Sequence, residues 1–80
     1  MAKNDGELKF EITNHISNLS GPNEKGWRME LNEVKWGDAK EPKFDIRQWN
    51  EDHTRMGKGV TLTYDQLAIM VSDIQDKGIC

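Results

Sequence analysis

Residues able to do chemistry are sparse in this chain of 80 residues. The only histidines are His15 and His53, and neither lies at i, i+4 from another ligand type on a helix. His53 follows Glu51 and Asp52, but three consecutive loop residues rarely converge on one metal, and zinc wants about four spaced ligands. His53 therefore reads as a solvated loop residue, and no metal or other cofactor is expected. Ser17, Ser20 and Ser72 have no base placed by a recognisable pattern, so a hydrolase triad has no support. Gly57-Lys58-Gly59 is too short to cradle a phosphate as a P-loop does, and reads as a flexible lead into a strand. No catalytic residue is expected, and an enzyme is not the reading. The chemistry that remains is binding. Three tryptophans stand near cations: Trp27 beside Arg28, Trp36 beside Lys35, and Trp49 two residues from Arg47. Flat rings and cations are what single-stranded nucleic acid asks of a protein.

Spacing decides which of these pairs has geometric content. In KFDIRQW, Lys43–Trp49, Phe44 and Ile46 alternate with Lys43, Asp45, Arg47 and Trp49. Neighbours on a strand point opposite ways, so only Arg47 and Trp49 are placed side by side. With Phe44 and Ile46 turned to a core, that pair falls on an outward face. Asp45 shares this face and would repel phosphate unless it braces a neighbouring cation. The competing use of Arg47 is an ordinary cross-strand ion pair with Asp45 or Glu33.

The elements that must position these residues follow from periodicity. LKFEITNHIS puts Leu8, Phe10, Ile12 and Ile16 at even spacing and reads as a strand. LSGPNEKG supplies a turn. In GWRMELNEVKW, Trp27, Met29 and Leu31 share one face, which assigns Trp27 to the core. Val34 and Trp36 have the opposite parity, and a bulge near Asn32-Glu33 would account for the slip. That bulge leaves the direction of Trp36 open. GDAKEP is a second turn, KFDIRQW the third strand, NEDHTRMGKG a polar loop, and GVTLT a short fourth strand. Thr63-Tyr64-Asp65-Gln66 fits a capping box, Asp65 suits the first turn of a helix, and Lys77-Gly78 suits its end. Leu67, Met70, Val71 and Ile74 recur at helical spacing, widened by Tyr64 and Ala68, with Ile69 outside the stripe. Such a stripe fits either contact with both a sheet and a second subunit, or one wide seam on the sheet alone.

Composition sets the frame. Eighty residues make one domain, 1–80, with residues 1–6 expected as a disordered tail. A core this small gains little net stability without a disulfide, a metal or a partner chain. Cys80 is the single cysteine, so no internal bridge forms, and a lone thiol fits a reducing cytoplasm. The amino terminus lacks a signal-like apolar run, and no segment reaches membrane-spanning length. The expectation is a soluble cytoplasmic domain stabilised by oligomerisation. The net charge is -3, yet Lys25, Arg28, Lys35, Lys40, Lys43, Arg47, Arg55 and Lys58 slightly outnumber the acids between them. A local basic face can attract phosphate on an acidic molecule.

The run KFDIRQWNEDHTRMGKGVTLTYDQLAIMVSDI resembles the core of the transcriptional positive cofactor four family. The shared features are an apolar-Asp-Ile-Arg strand closing in an aromatic, a polar loop, a Lys-Gly-apolar-Thr-Leu strand, and a capped helix. NEKGWRMELNEVKWG is similar to the bacterial, YdbC-like branch. The resemblance implies an α+β fold, a curved four-stranded antiparallel sheet followed by one helix (ββββα). It implies a homodimer formed through the helices, with Leu67, Ile69, Met70, Val71 and Ile74 at the interface, and sequence-tolerant binding of single-stranded DNA. Arg47 matches the strand arginine that meets nucleic acid, and Lys58 the lysine of the Lys-Gly turn. Trp36 falls where the family places a stacking aromatic. Trp49 stands near the aromatic after the arginine, with one residue fewer between them here. Lys40, Lys43 and Arg55 would compensate for a basic loop residue replaced by Gly57, and Lys35 and Arg28 complete the basic set. The serine-rich regulatory tail of eukaryotic members has no counterpart in this sequence, so a coactivator role is not carried over. Two other readings stand beside DNA binding: a protein-interaction module of the transcription machinery, and binding of single-stranded RNA.

Overall fold

The computed structural model describes residues 9–80; the expected tail at 1–6 and the strand position of Leu8 lie outside them. Four strands, β1 (Phe10–Asn18), β2 (Arg28–Trp36), β3 (Lys43–Trp49) and β4 (Met56–Leu62), precede one helix, α1 (Tyr64–Asp76). The sheet is an antiparallel meander in the order β1-β2-β3-β4. This is the expected ββββα arrangement. β4 starts earlier than GVTLT suggests, because Met56 already pairs with Trp49.

β2 corrects the expected bulge. It pairs with β3 without interruption from Arg28↔Trp49 to Val34↔Lys43. Glu30, Asn32 and Val34 are all buried, at alternate positions. The parity change in the sequence arises because the strand is apolar on both sides. Met29 and Leu31 lie on one face, Val34 and Trp36 on the other. The irregularities instead fall in β1, between Ile12 and Asn14 and between His15 and Ser17, and between β3 and β4 at Arg47/Trp49. Extra residues at such points bend and twist a sheet.

Register assigns two faces. The covered face carries Phe10 and Ile12 of β1, Glu30, Asn32, Val34 and Trp36 of β2, Asp45, Arg47 and Trp49 of β3, and Thr61 of β4. The helix face carries Met29, Leu31, Phe44, Ile46, Val60 and Leu62. The expected core face is thus the less enclosed one. Val60 is 49% exposed, whereas Val34 and Trp49 are fully buried on the face expected to look outward. The reason is the size of the side chains. Phe10, Trp36, Trp49 and His53 are large enough to close over their own face, while one short helix reaches only β3 and β4.

The helix begins as its sequence demands. The Thr63 hydroxyl accepts from the Gln66 amide at 3.1 Å, and the Gln66 side chain accepts from the Thr63 amide at 2.9 Å. It ends in a Schellman arrangement, with Gly78 at φ 68 and the Ile79 amide donating to the Ile74 carbonyl. Phe44 and Tyr64 place the start of α1 by the helix face, ring centroids 6.1 Å apart. No residue of α1 is buried. Ile69, Met70 and Val71 are exposed, and Leu67 and Ile74 are half-buried.

Candidate nucleic-acid interface

Arg47 and Trp49 share a face as alternation requires, but not as an open platform. The Trp49 indole is fully buried, with Phe10 at 5.2 Å and His53 at 5.5 Å between centroids. The expectation that Trp49 is a stacking surface is therefore corrected: it is the centre of the covered face. Arg47 is also held inward, its side chain 15% exposed. Its Nε donates to Asp45 Oδ1 at 2.6 Å and its Nη2 to Asp45 Oδ2 at 2.8 Å, a fork on a fully buried carboxylate. Nη1 donates to the Gly57 carbonyl at 3.3 Å. Thr61 Oγ1 donates to the second Asp45 oxygen at 3.0 Å. Asp45 is thus the brace of Arg47, the ordinary ion pair that the sequence left as the competing use.

What this brace presents is Trp36. The Arg47 guanidinium carbon lies 4.8 Å from the Trp36 ring centroid, within cation–π range. Phe10 flanks the same ring at 6.1 Å. Trp36 is half-buried at the end of β2, so its direction, open in the sequence, is now fixed on the covered face. Lys43 stands on that face and is exposed, opposite Val34 in the register. Arg28 stands at the other end of β2 on the same face, half-buried opposite Trp49. Lys35 alternates to the other face, opposite Glu11. Lys40 is exposed in the β2–β3 turn, Arg55 in the β3–β4 loop, and Lys58 beside the register shift in β4. The expected basic set is therefore divided: Arg28, Lys43 and Arg47 share the covered face with Trp36, Lys35 lies on the other face, and Lys40, Arg55 and Lys58 are exposed in turn, loop and β4.

Close packing of backbone allows the brace to form. A Cβ at Gly59 would collide with the Arg47 Cβ and the Ile46 carbonyl oxygen. Gly57-Lys58-Gly59 is consequently part of a pairing strand and not a flexible lead.

Two groups were missed in the sequence. Glu30, 3% exposed, accepts from Asn32 Nδ2 at 3.0 Å and lies 3.0 Å through both oxygens from His53 Nε2. A carboxylate only accepts, so His53 donates. His15 Nδ1 lies 2.7 Å from Asn32 Oδ1 and 3.5 Å from Glu30. Burial pushes the Glu30 pKa up, but the hydrogen bonds from Asn32 and His53 and the charges of His53 and His15 outweigh it, leaving it below the ordinary value. His53 is therefore a structural residue, held at φ 60, and not a solvated one. Nothing in the local sequence joins residues 15, 30 and 53; only the sheet register does.

The second group is around Trp27, expected in the core but half-buried. One open cleft of about 490 Å³ is lined by Asn23, Glu24, Lys25, Trp27 and Gln48. Another of about 420 Å³ is lined by Lys25, Trp27, Asn50, Glu51, Asp52 and Arg55. Trp27 precedes β2 and so escapes the enclosure that strand alternation suggested.

No helix among the described residues is long and apolar enough to cross a membrane. Comparison with known proteins agrees with the geometry. The chain is 38% identical over 64 residues to an uncharacterized protein of Treponema pallidum (strain Nichols), covering 80% of this chain and 73% of the relative. Residues 23–72 match the family described as Transcriptional Coactivator p15 (PC4). This span runs from the Asn23 turn through all but the last residues of α1, and includes Trp27, Trp36, the Asp45–Arg47 brace and the capping box. The chain belongs to the Transcriptional Coactivator p15 (PC4) family.

Proposed function

We propose that this protein is a homodimer that binds single-stranded DNA without sequence preference, in a transcription-related role in the cytoplasm. The observation that carries the reading is family membership over the segment that builds a braced Arg47–Trp36 stack among exposed cations. Trp36 supplies the ring edge, while Lys43, Lys40, Lys58, Arg55 and Arg28 supply charge for phosphates. Arg47 acts through Trp36, since Asp45 occupies its fork. The homodimer reading rests on α1. A helix with an apolar stripe and no buried residue has lost much of the free energy such a stripe supplies. A second copy would cover Leu67, Ile69, Met70, Val71 and Ile74 together with Val60.

Titration with oligo-dT tests the function. Binding should change tryptophan emission and weaken as salt rises, because phosphate contacts release counterions. Absence of binding at low salt overturns the reading. Tighter binding of oligo-U or of duplex DNA than of oligo-dT would replace it with an RNA or duplex partner.

A further inference from the structure

The backbone that carries Trp27 is tied into a closed turn, in a place where the fold makes little use of the ring. The Asn23 side-chain oxygen accepts from the Lys25 amide at 2.9 Å and the Trp27 amide at 3.0 Å. The Asn23 amide donates to the Trp27 carbonyl at 2.8 Å, and the Gly26 amide to the Asn23 carbonyl at 2.9 Å. Gly26 takes φ 84 to close this turn, a conformation suited to glycine. The ring reaches across to Gly57 and Gln48, where a Cβ on Gly57 would touch it at 3.8 Å. Beyond that it borders the two open clefts, and it takes no part in the Phe10–Trp36–Trp49 cluster.

The far wall of the second cleft is equally well tied. Asn50 Nδ2 donates to the Thr54 hydroxyl at 2.8 Å, and Asn50 Oδ1 accepts from the Arg55 amide at 2.8 Å. The Thr54 hydroxyl and amide donate to Asp52, which lowers the pKa of that carboxyl. Those bonds engage the acid within its own loop. Lys25 and Arg55 are exposed and line the second cleft together with Trp27, and Gln48 lines the first.

A preorganised aromatic loses little conformational freedom on binding, and each nucleobase offers it a flat face. We infer that Trp27, flanked by Lys25 and Arg55, is a nucleobase-stacking subsite for single-stranded DNA, separate from the Trp36 stack. Trp27 takes the base face, Gln48 lies within reach of its polar edge, and Lys25 and Arg55 meet the adjoining phosphates. The proposal rests on the DNA-binding reading above, and supplies a second contact beyond the covered face.

The test is fluorescence anisotropy of labelled oligo-dT and of an abasic oligonucleotide of equal length. It uses the full chain and its Trp27→Ala, Trp27→Phe and Lys25→Ala variants. Trp27→Ala should weaken oligo-dT binding about tenfold or more and leave the salt slope unchanged. Trp27→Phe should retain most of the affinity, and abasic binding should be the same in wild type and Trp27→Ala. Lys25→Ala should reduce the salt slope by about 0.7, the value for one phosphate contact on a single strand. Unchanged oligo-dT affinity in Trp27→Ala, with wild type binding normally, overturns the subsite alone. So does an equal loss on the abasic strand. Failure of wild type to bind either strand overturns the broader reading, and the subsite with it.

Discussion

Removing the Asp45 carboxylate isolates the central brace. Asp45 is fully buried and takes two charge-assisted hydrogen bonds from Arg47 and one from Thr61. Hydrogen bonds to a charged group are worth about 1.5–3 kcal/mol each, the bond from the Thr61 hydroxyl to the carboxylate included. Their sum overstates the loss, because Arg47 keeps the Gly57 carbonyl and the Trp36 face and can swing its long side chain toward water. Breaking one partner of a buried pair costs about 3–5 kcal/mol, and the partial exposure of Arg47 puts Asp45→Ala near the lower end, about 3 kcal/mol. A domain of this length has about 4–12 kcal/mol in all, so the variant should be strongly destabilised.

Urea unfolding monitored by circular dichroism reads this directly. With a slope of about 1–1.5 kcal/mol per molar for a small domain, the midpoint should fall by about 2–3 M. The double variant Asp45→Leu/Arg47→Met removes both charges and should recover most of the loss, since an apolar replacement of a buried pair is often neutral. A cost below about 1 kcal/mol for Asp45→Ala would refute the brace. A double-variant loss equal to the sum of the Asp45→Leu and Arg47→Met losses measured singly would also refute it, because the pair would then carry no coupling.

Trp49→Ala should cost about 3–5 kcal/mol as a large core truncation. Trp49→Phe should fold and keep oligo-dT affinity, since the buried indole N–H has no acceptor among the described residues; chemical denaturation and anisotropy distinguish the pair. Gly59→Ala should destabilise by about 1–3 kcal/mol through overpacking against Arg47 and Ile46, read as a lowered melting temperature. Val71→Asp on the exposed stripe should shift sedimentation toward monomer, whereas an unchanged oligomer would remove α1 from the interface. Glu30 has a depressed folded pKa. Its contribution is therefore full above the unfolded carboxylate range and lost as pH falls through the folded value. Glu30→Gln should accordingly flatten the acid limb of a stability profile.

Local signals in the sequence were mostly accurate, the bulge expected in β2 and the flexible lead at Gly57-Lys58-Gly59 excepted, and long-range ones were not. The capping box at Thr63 and Gln66, the Gly78 stop and the four-strand order were all legible, because each depends on residues within a turn of one another. The sidedness of the sheet was not. Alternation separates the two faces of KFDIRQW but does not say which is enclosed, and the usual assumption that Phe44 and Ile46 mark the core failed. Enclosure was decided by Phe10 and His53, which reach Trp49 from β1 and the β3–β4 loop, and by Trp36, which packs on Phe10. The Glu30 cluster was hidden for the same reason: its members are 15 and 23 positions apart. Asp45 was the informative residue. A carboxylate on a face expected to meet phosphate is unfavourable unless it has another task, and the structure supplies that task in Arg47.

The burial of polar groups on the covered face also bears on how such a small domain could bind DNA. Glu30, Asn32 and Asp45 are all enclosed, and each has hydrogen-bond partners among the residues that enclose it. Buried polar groups satisfied in this way fix one arrangement, because any slip of register would leave them unpaired. Trp36 is positioned by that arrangement through Arg47, and the β3–β4 loop by His53. Under the proposed function, charge for phosphates would come from exposed side chains that the network does not consume, Lys40, Lys43, Arg55 and Lys58. This division makes a mutational distinction available. Variants of the buried set should lose stability and binding together, whereas variants of the exposed cations should reduce the salt dependence of binding at unchanged stability. If Lys43→Ala and Lys58→Ala left the salt slope of oligo-dT binding as it was, phosphate contact would lie elsewhere on the chain.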